Sequence, residues 1–303
     1  MKRILVNIWN NSYDIFIHVK NYFYVSIDSI YGRIHNPPKI MSIEDTIQYI
    51  KDNKCSVSRL GDGEIKIACG KDLAFQRANT QIRMRMIEVM SVPIKNHIVC
   101  LPDIFKDLSC YNDEAYNHWK LHLAYYRKYW YKHIDRRRLF YNAFISRCYM
   151  MFIDKSRSEE YFKNIKGIWE NRNVLLIEGE KSRLGVGNDL FDNVSSIRRI
   201  LAPNKNAFDY YDSIVTKIIE LAPYSYLLLL AIGPTATVMS YDLAKKGYQA
   251  VDIGHIDIEY EWLRMKALQK KPVKDKFVNE AGAGKGVGES NDIKYLKEII
   301  CRF

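Results

Sequence analysis

Tyr226-Leu227-Leu228-Leu229-Leu230-Ala231, followed by Ile232-Gly233-Pro234-Thr235, decides the fold class. The run is apolar at odd and even positions alike, so a strand built from it is buried on both faces. Gly233-Pro234 then ends the strand and opens a helix, since proline fits the first helical turn, where its missing N–H goes unused. That helix ends near Lys246-Gly247, and Ala250-Val251-Asp252-Ile253 makes the next strand. A buried strand, a helix and a second buried strand imply parallel neighbours joined by a crossover.

The same alternation extends outward in both directions. Ser42-Ile43-Glu44-Asp45 starts a helix that runs to Asp52 with Ile43, Ile47 and Ile50 on one face. Strand Ser56–Arg59 follows, then an acidic turn and a short helix to about Cys69. Thr80 caps a helix carrying Ile82, Met86, Ile87 and Met90. His97–Leu101, Asn173–Ile177 and Ser196–Leu201 read as strands, and Asn206–Leu221 as a helix with Ile214, Ile218 and Leu221 inward. Residues 112–152 read as one or two helices without a clean apolar stripe, a helical insertion. The expected fold is α/β: a mostly parallel sheet with helices on both faces, whose ligands bind beyond the carboxyl ends of the strands.

The chain has 303 residues, 48% of them hydrophobic, which is enough to bury a sizeable core and excludes a disordered chain. Its 46 Lys and Arg against 35 Asp and Glu give a formal charge of +11, which favours anionic partners. Six cysteines, at 55, 69, 100, 110, 148 and 301, form no C-x-x-C pair. This argues against a zinc site and for a reducing, cytoplasmic setting. Met1-Lys2-Arg3-Ile4-Leu5-Val6 starts like a signal peptide, but Asn7, Asn10, Asn11 and Asp14 break the apolar run. The longest apolar stretch, Tyr224 to Ile232, falls well short of the roughly 20 residues that span a bilayer. Pro37-Pro38 separates an aromatic N-terminal segment, residues 1–41, from the main body, residues 42–303. Residues 1–31 read either as a helix covering the domain's own core, the plainer reading, or as a segment resting on a membrane surface.

Polar residues gather at four strand ends. Arg59-Leu60-Gly61-Asp62-Gly63-Glu64 sets two carboxylates two residues apart on a glycine-flanked turn, beside a fixed cation. Such a pair can share a hard divalent ion, and equally can be an ordinary acidic surface turn. After Ile177 comes a loop containing Arg183, a bidentate anion ligand, with Gly185, Asn188 and Asp189 suited to a phosphate, ribose or sugar hydroxyl. Gly233 and Thr235 open a helix whose dipole suits a phosphate, or form a plain strand–helix turn. His255 and Asp257 follow the last strand directly and can supply a general base or help hold a metal, although a lone histidine is more often a structural residue. Residues 118–138 mix Lys120, Arg127, Lys128, Lys132 and Arg136–Arg138 with tyrosines and tryptophans. They are a solvated helix face, or a surface for nucleic acid, sugar or anionic lipid. Ala281–Gly288 fails the phosphate-loop spacing, since Gly286 follows Lys285, and reads as a loop able to close over the site.

Several of these stretches, in this order, resemble the GT-D type of glycosyltransferase: Arg59–Glu64, Phe75-Gln76, Gly185–Phe191, Gly233–Ala236, Lys246–His255 and Asp257–Trp262. The resemblance covers roughly residues 42–300. It implies a Rossmann-like fold and transfer of a hexose, often glucose, from a UDP-sugar donor. The implied acceptor is a glycan on a surface protein or lipid carrier in bacterial surface polysaccharide or glycoprotein synthesis. Asp62 and Glu64 match the metal motif, with Mn²⁺ (or Mg²⁺) as the implied ion. Donor contacts are then expected from Arg59, Gly61, Arg183, Gly185, Asn188, Asp189, Gly233 and Thr235, and base catalysis from Asp257 or His255. A location on the inner face of the cell membrane, through residues 1–31 or 118–138, is compatible with this reading. A metal-dependent phosphoesterase ranks lower because few histidines lie near Asp62 in the sequence. A non-catalytic RNA- or lipid-binding protein leaves the polar strand ends unexplained, and nucleic acid is not an expected partner.

Overall fold

The computed structural model describes residues 2–278, 280, 281, 284 and 286–303, with side chains from residue 15 onward. Among the described residues nine strands form one sheet in the order β1-β4-β3-β2-β8-β7-β5-β6-β9, and every neighbouring pair is parallel. The strands are β1 Lys39–Ile40, β2 Ser56–Arg59, β3 His97–Leu101, β4 Leu139–Asn142, β5 Asn173–Gly179, β6 Ser196–Ala202, β7 Leu227–Ala231, β8 Gln249–Asp252 and β9 Ile299–Arg302. The apolar runs behave as their composition demands. Val174, Leu176, Leu227, Leu229 and Val251 enter one core, and Leu175, Ile177, Leu228, Leu230 and Ala250 enter the other. Side chains alternate across a strand, so two cores are what a doubly covered sheet requires.

Helices α2 Ile43–Asn53, α3 Asp62–Ala68, α4 Thr80–Ser91, α5 Asp113–His133, α6 Ser158–Lys166 and α9 Ile256–Arg264 contribute to the first core. Helix α7 Tyr211–Leu221 lies over the second, and α8 Pro234–Lys245 feeds both. The Ser42 cap and the Pro234 helix start are as the sequence indicates.

Local departures have local causes. Helix α4 is capped by Asn79, whose Oδ1 accepts from Ile82 N–H, rather than by Thr80. Asp62 and Glu64 sit in the first turn of α3 instead of a free turn, because the Glu64 carboxylate reaches back to accept the Gly61 N–H, the one arm of a capping box that a glycine N-cap allows. Residues 112–152, read as helical, also supply strand β4, too short for a sequence period to announce. The final helix is α10 Ile293–Glu298, and the chain after it extends into β9. Of the glycine-rich segment, Gly282, Ala283 and Lys285 lie outside the described residues.

The basic-aromatic stretch is not a free stacking face: Trp119 and Trp130 are buried, and Arg127 is paired with Asp28 of α1, Lys2–Ile34. Nor does α1 cover the core with its apolar side, at least over residues 15–34, where Phe16, Val19, Phe23 and Ile30 point to solvent. No described helix is long and apolar enough to cross a membrane.

Candidate active site

A cavity of about 640 Å³ opens over the carboxyl ends of β2, β8, β7 and β5. It gathers Arg59, Gly61, Asp62, Glu64, Gly233, His255 and Asp257 from three separate strand ends. The strand-end rule thus locates the pocket, and the sheet order supplies the neighbours.

One corner of the cavity is acidic. Asp252 ends β8 beside Arg59, which ends β2; the guanidinium bonds the Asp252 carboxylate and backbone carbonyl, each at 2.8 Å. Gly254 has a positive φ, and a Cβ there would overlap that guanidinium. Burial, then the Asp252 carboxylate and to a lesser degree Asp62, push Glu64 up to about 7. Burial also pushes Asp62 up, but the Lys66 ammonium at 2.7 Å, with His118 and His122, outweighs it and holds the carboxyl below its usual range. His118 Nε2 lies 3.6 Å from Asp62. Spacing could not reveal this pair, because the two residues are 56 positions apart and α5 must fold back to bring them together.

A second corner centres on His255, the residue that precedes α9. Its Nε2 meets Glu280 Oε2 at 2.6 Å, and Arg147 donates to the other oxygen of Glu280 at 2.9 Å. Burial acts to raise Glu280, but His255 and Arg147 overcome it and hold the carboxyl far below the ordinary carboxylate range. Glu280 and Arg147 both line the cavity, and sequence reasoning missed both; neither stands in a recognisable motif. Asp257 is enclosed. It accepts from Gly185 N–H at 2.7 Å, Asn188 Nδ2 at 2.8 Å and Lys276 Nζ at 2.7 Å.

The remaining expected donor contacts are not brought into the cavity. Arg183 takes a positive φ and turns its guanidinium onto the backbone carbonyls of Asp275 and Gly288. It braces the segment that carries Lys276 and Glu280 instead of reaching a phosphate. Gly185 and Asn188 position Asp257. Asp189 pairs with Lys166 and Tyr260 outside the cavity. Thr235 is buried, its hydroxyl toward Gln76 at 3.4 Å, while Gly233 itself lines the cavity at the start of α8.

A pocket at the carboxyl edge of a parallel α/β sheet, with clustered carboxylates and a helix N-terminus, defines a class: enzymes that handle phosphorylated or nucleotide-linked substrates. Sequence comparison narrows the class. The family described as Glycosyltransferase GT-D fold matches residues 57–281, and this chain belongs to that family. It is 37% identical over 262 residues to the Probable glycosyl transferase Gly of Streptococcus gordonii, covering 86% of this chain and 38% of that protein. It is 36% identical over 265 residues to Glycosyltransferase GlyD of Streptococcus pneumoniae serotype 4, covering 87% and 32%. The chain therefore spans about a third of the length of these curated relatives. Among solved structures, one reported as domain of unknown function 1792 with a distinct glycosyltransferase fold superposes with a TM-score of 0.86. The match has 37% identity and covers 93% of this chain and 99% of that one. A new glycosyltransferase of the same domain type from Streptococcus sanguinis gives 0.84 at 36% identity, covering 88% and 99%.

Proposed function

We propose that this chain transfers a hexose, with glucose the expected sugar, from a UDP-sugar to a glycan acceptor on a protein or lipid carrier, and that it works with Mn²⁺ or Mg²⁺. The observation that carries the proposal is the acidic corner: Asp62 and Glu64 on the first turn of α3, beside Asp252, inside a cavity that His255 also lines.

The donor set fits a hard divalent ion. Burial first, and then the Asp252 and Asp62 carboxylates, raise Glu64, and a bound cation would offset the repulsion among these carboxylates. Among the described residues no group of three or more His, Cys, Asp or Glu side chains is set to hold a metal. Asp62 and Glu64 would therefore hold the ion together with diphosphate oxygens and water, as Mg²⁺-type sites commonly do. When bound, the ion neutralises negative charge on the diphosphate leaving group.

The chain's own residues supply the rest. The N-terminal dipole of α8 at Gly233 favours the same anionic charge. Arg59 holds the Asp252 side chain and backbone carbonyl by hydrogen bonds and so braces β2 against β8. Glu280 orients His255 through Nε2, which leaves Nδ1 to take the proton of the acceptor hydroxyl. Asp257 is better suited to positioning, because Lys276, Asn188 and Gly185 already occupy its oxygens.

The His118–Asp62 pair favours a second reading, a metal-dependent phosphoesterase, more than the sequence does. One assay separates the two. Incubation with Mn²⁺ and a panel of nucleotide sugars should release UDP and build up glycosylated acceptor. Asp62→Ala and Glu64→Ala should each abolish this while the circular dichroism spectrum is unchanged. UDP release at the wild-type rate in both variants rejects the metal assignment. Release of free phosphate from nucleotides, without sugar transfer, supports the phosphoesterase.

A further inference from the structure

Over residues 15–34, helix α1 faces its apolar residues the wrong way for a core element. Its inner side, with Asn21, Val25, Asp28 and Tyr31, meets α5. Tyr24 stacks on Tyr125 at 4.9 Å, Tyr125 Oη donates to Asn21 Oδ1 at 2.6 Å, and Arg127 forks onto Asp28 at 2.7 and 3.0 Å. On the opposite side Phe16, Val19, Tyr22, Phe23, Ile30 and Ile34 are 62–77% exposed. Their three- and four-residue spacing puts them on one broad face. A contiguous apolar stripe on a surface helix marks an interaction site.

Charge identifies what covers it. Residues 116–140 carry seven Lys and Arg against the single Asp135, more than half of the chain's net +11. Lys128, which sits 5.2 Å over the Tyr31 ring of α1, and Lys132, one helical turn further along α5, are exposed. An apolar helix face flanked by solvent-facing lysines matches the boundary between acyl chains and anionic headgroups. A second copy of the chain fits less well. The stripe is wider than a coiled-coil seam, and a symmetric pair would bring two basic flanks together.

We propose that α1 lies lengthwise on an anionic bilayer surface, its apolar stripe in the interface and the α5 lysines against the headgroups. Helix α5 links this surface to the cavity. Its first turns, with Ala115, His118 and Trp119, line the pocket, and its second half carries α1. The bilayer would then stand within one α5 length, about 30 Å, of the acidic corner.

Co-sedimentation of the full chain with vesicles tests this. Binding is expected to mixed phosphatidylcholine–phosphatidylglycerol vesicles, to weaken with added salt, and to be slight on phosphatidylcholine alone. Phe16→Ser/Phe23→Ser/Ile30→Ser should lower the bound fraction at least about tenfold. Lys128→Glu/Lys132→Glu should remove the preference for anionic vesicles. Both variants change exposed positions and should keep the wild-type thermal midpoint. No binding to anionic vesicles, or equal binding by the serine variant, overturns the proposal. So does a dimer in vesicle-free buffer that the serine variant dissolves, since the stripe would then belong to a second copy.

Discussion

Lys276→Met should cost the fold about 3–5 kcal/mol, the usual price of breaking a buried ion pair by removing one partner. Lys276 Nζ lies 2.7 Å from Asp257 and 3.1 Å from Glu261, and the Lys276 and Asp257 side chains are only 4% and 2% exposed. Removing the ammonium leaves the Asp257 carboxylate inside the protein with two donors, Gly185 N–H and Asn188 Nδ2. Those charge-assisted bonds survive, which places the expected loss near the lower end, about 3 kcal/mol. At a urea slope of about 2–3 kcal/mol per M, the midpoint should fall by roughly 1–1.5 M. Adding Asp257→Asn removes the uncompensated charge, so the double variant should recover part of the loss and the cycle should show a coupling above about 1 kcal/mol. Strictly additive single effects, or a midpoint shift below about 0.3 M, would refute the idea that this pair anchors the segment bearing Glu280.

Other residues give sharper functional readouts. Glu280→Gln should lower kcat about 100-fold or more with little change in donor KM, because His255 loses the carboxylate that orients it; initial-rate kinetics over donor concentration would check this. Gly254→Ala should displace the Arg59 guanidinium and cut activity more than it shifts the melting temperature, as comparison of turnover with a thermal scan would reveal. His97 is half-buried, packed against Ser58 and Tyr241, and desolvation of its ring pushes it down to about 3. Between that value and about 6.5 the unfolded chain binds the proton and the folded chain does not, so stability falls as pH drops through this window. His97→Gln should flatten the dependence by up to about 1.4 kcal/mol per pH unit, measured by urea titrations at pH 7 and pH 5.

Much of the architecture is legible in the linear chain because it rests on short-range physics. Leu227–Leu230 and Val174–Ile177 are apolar at every position, which only a strand covered on both faces accommodates. Ser42 and Pro234 mark helix starts by satisfying or lacking single N–H groups. The elements without a long period, β4, β9 and β1, were not legible, since two to four residues carry no periodic signal and their pairing depends on neighbours far along the chain.

The sequence alone determined the class of the sheet, the strand ends where polar groups collect and the Asp62–Glu64 pair, because each follows from residues within a few positions of one another. Only the tertiary structure decided which of those groups share a cavity. It joins Asp62 to His118 and His255 to Glu280, turns Arg183 away from the pocket through a backbone at positive φ, and points the apolar face of α1 outward. Those outcomes depend on strand order and on side-chain direction, and neither is encoded in any local window of the chain.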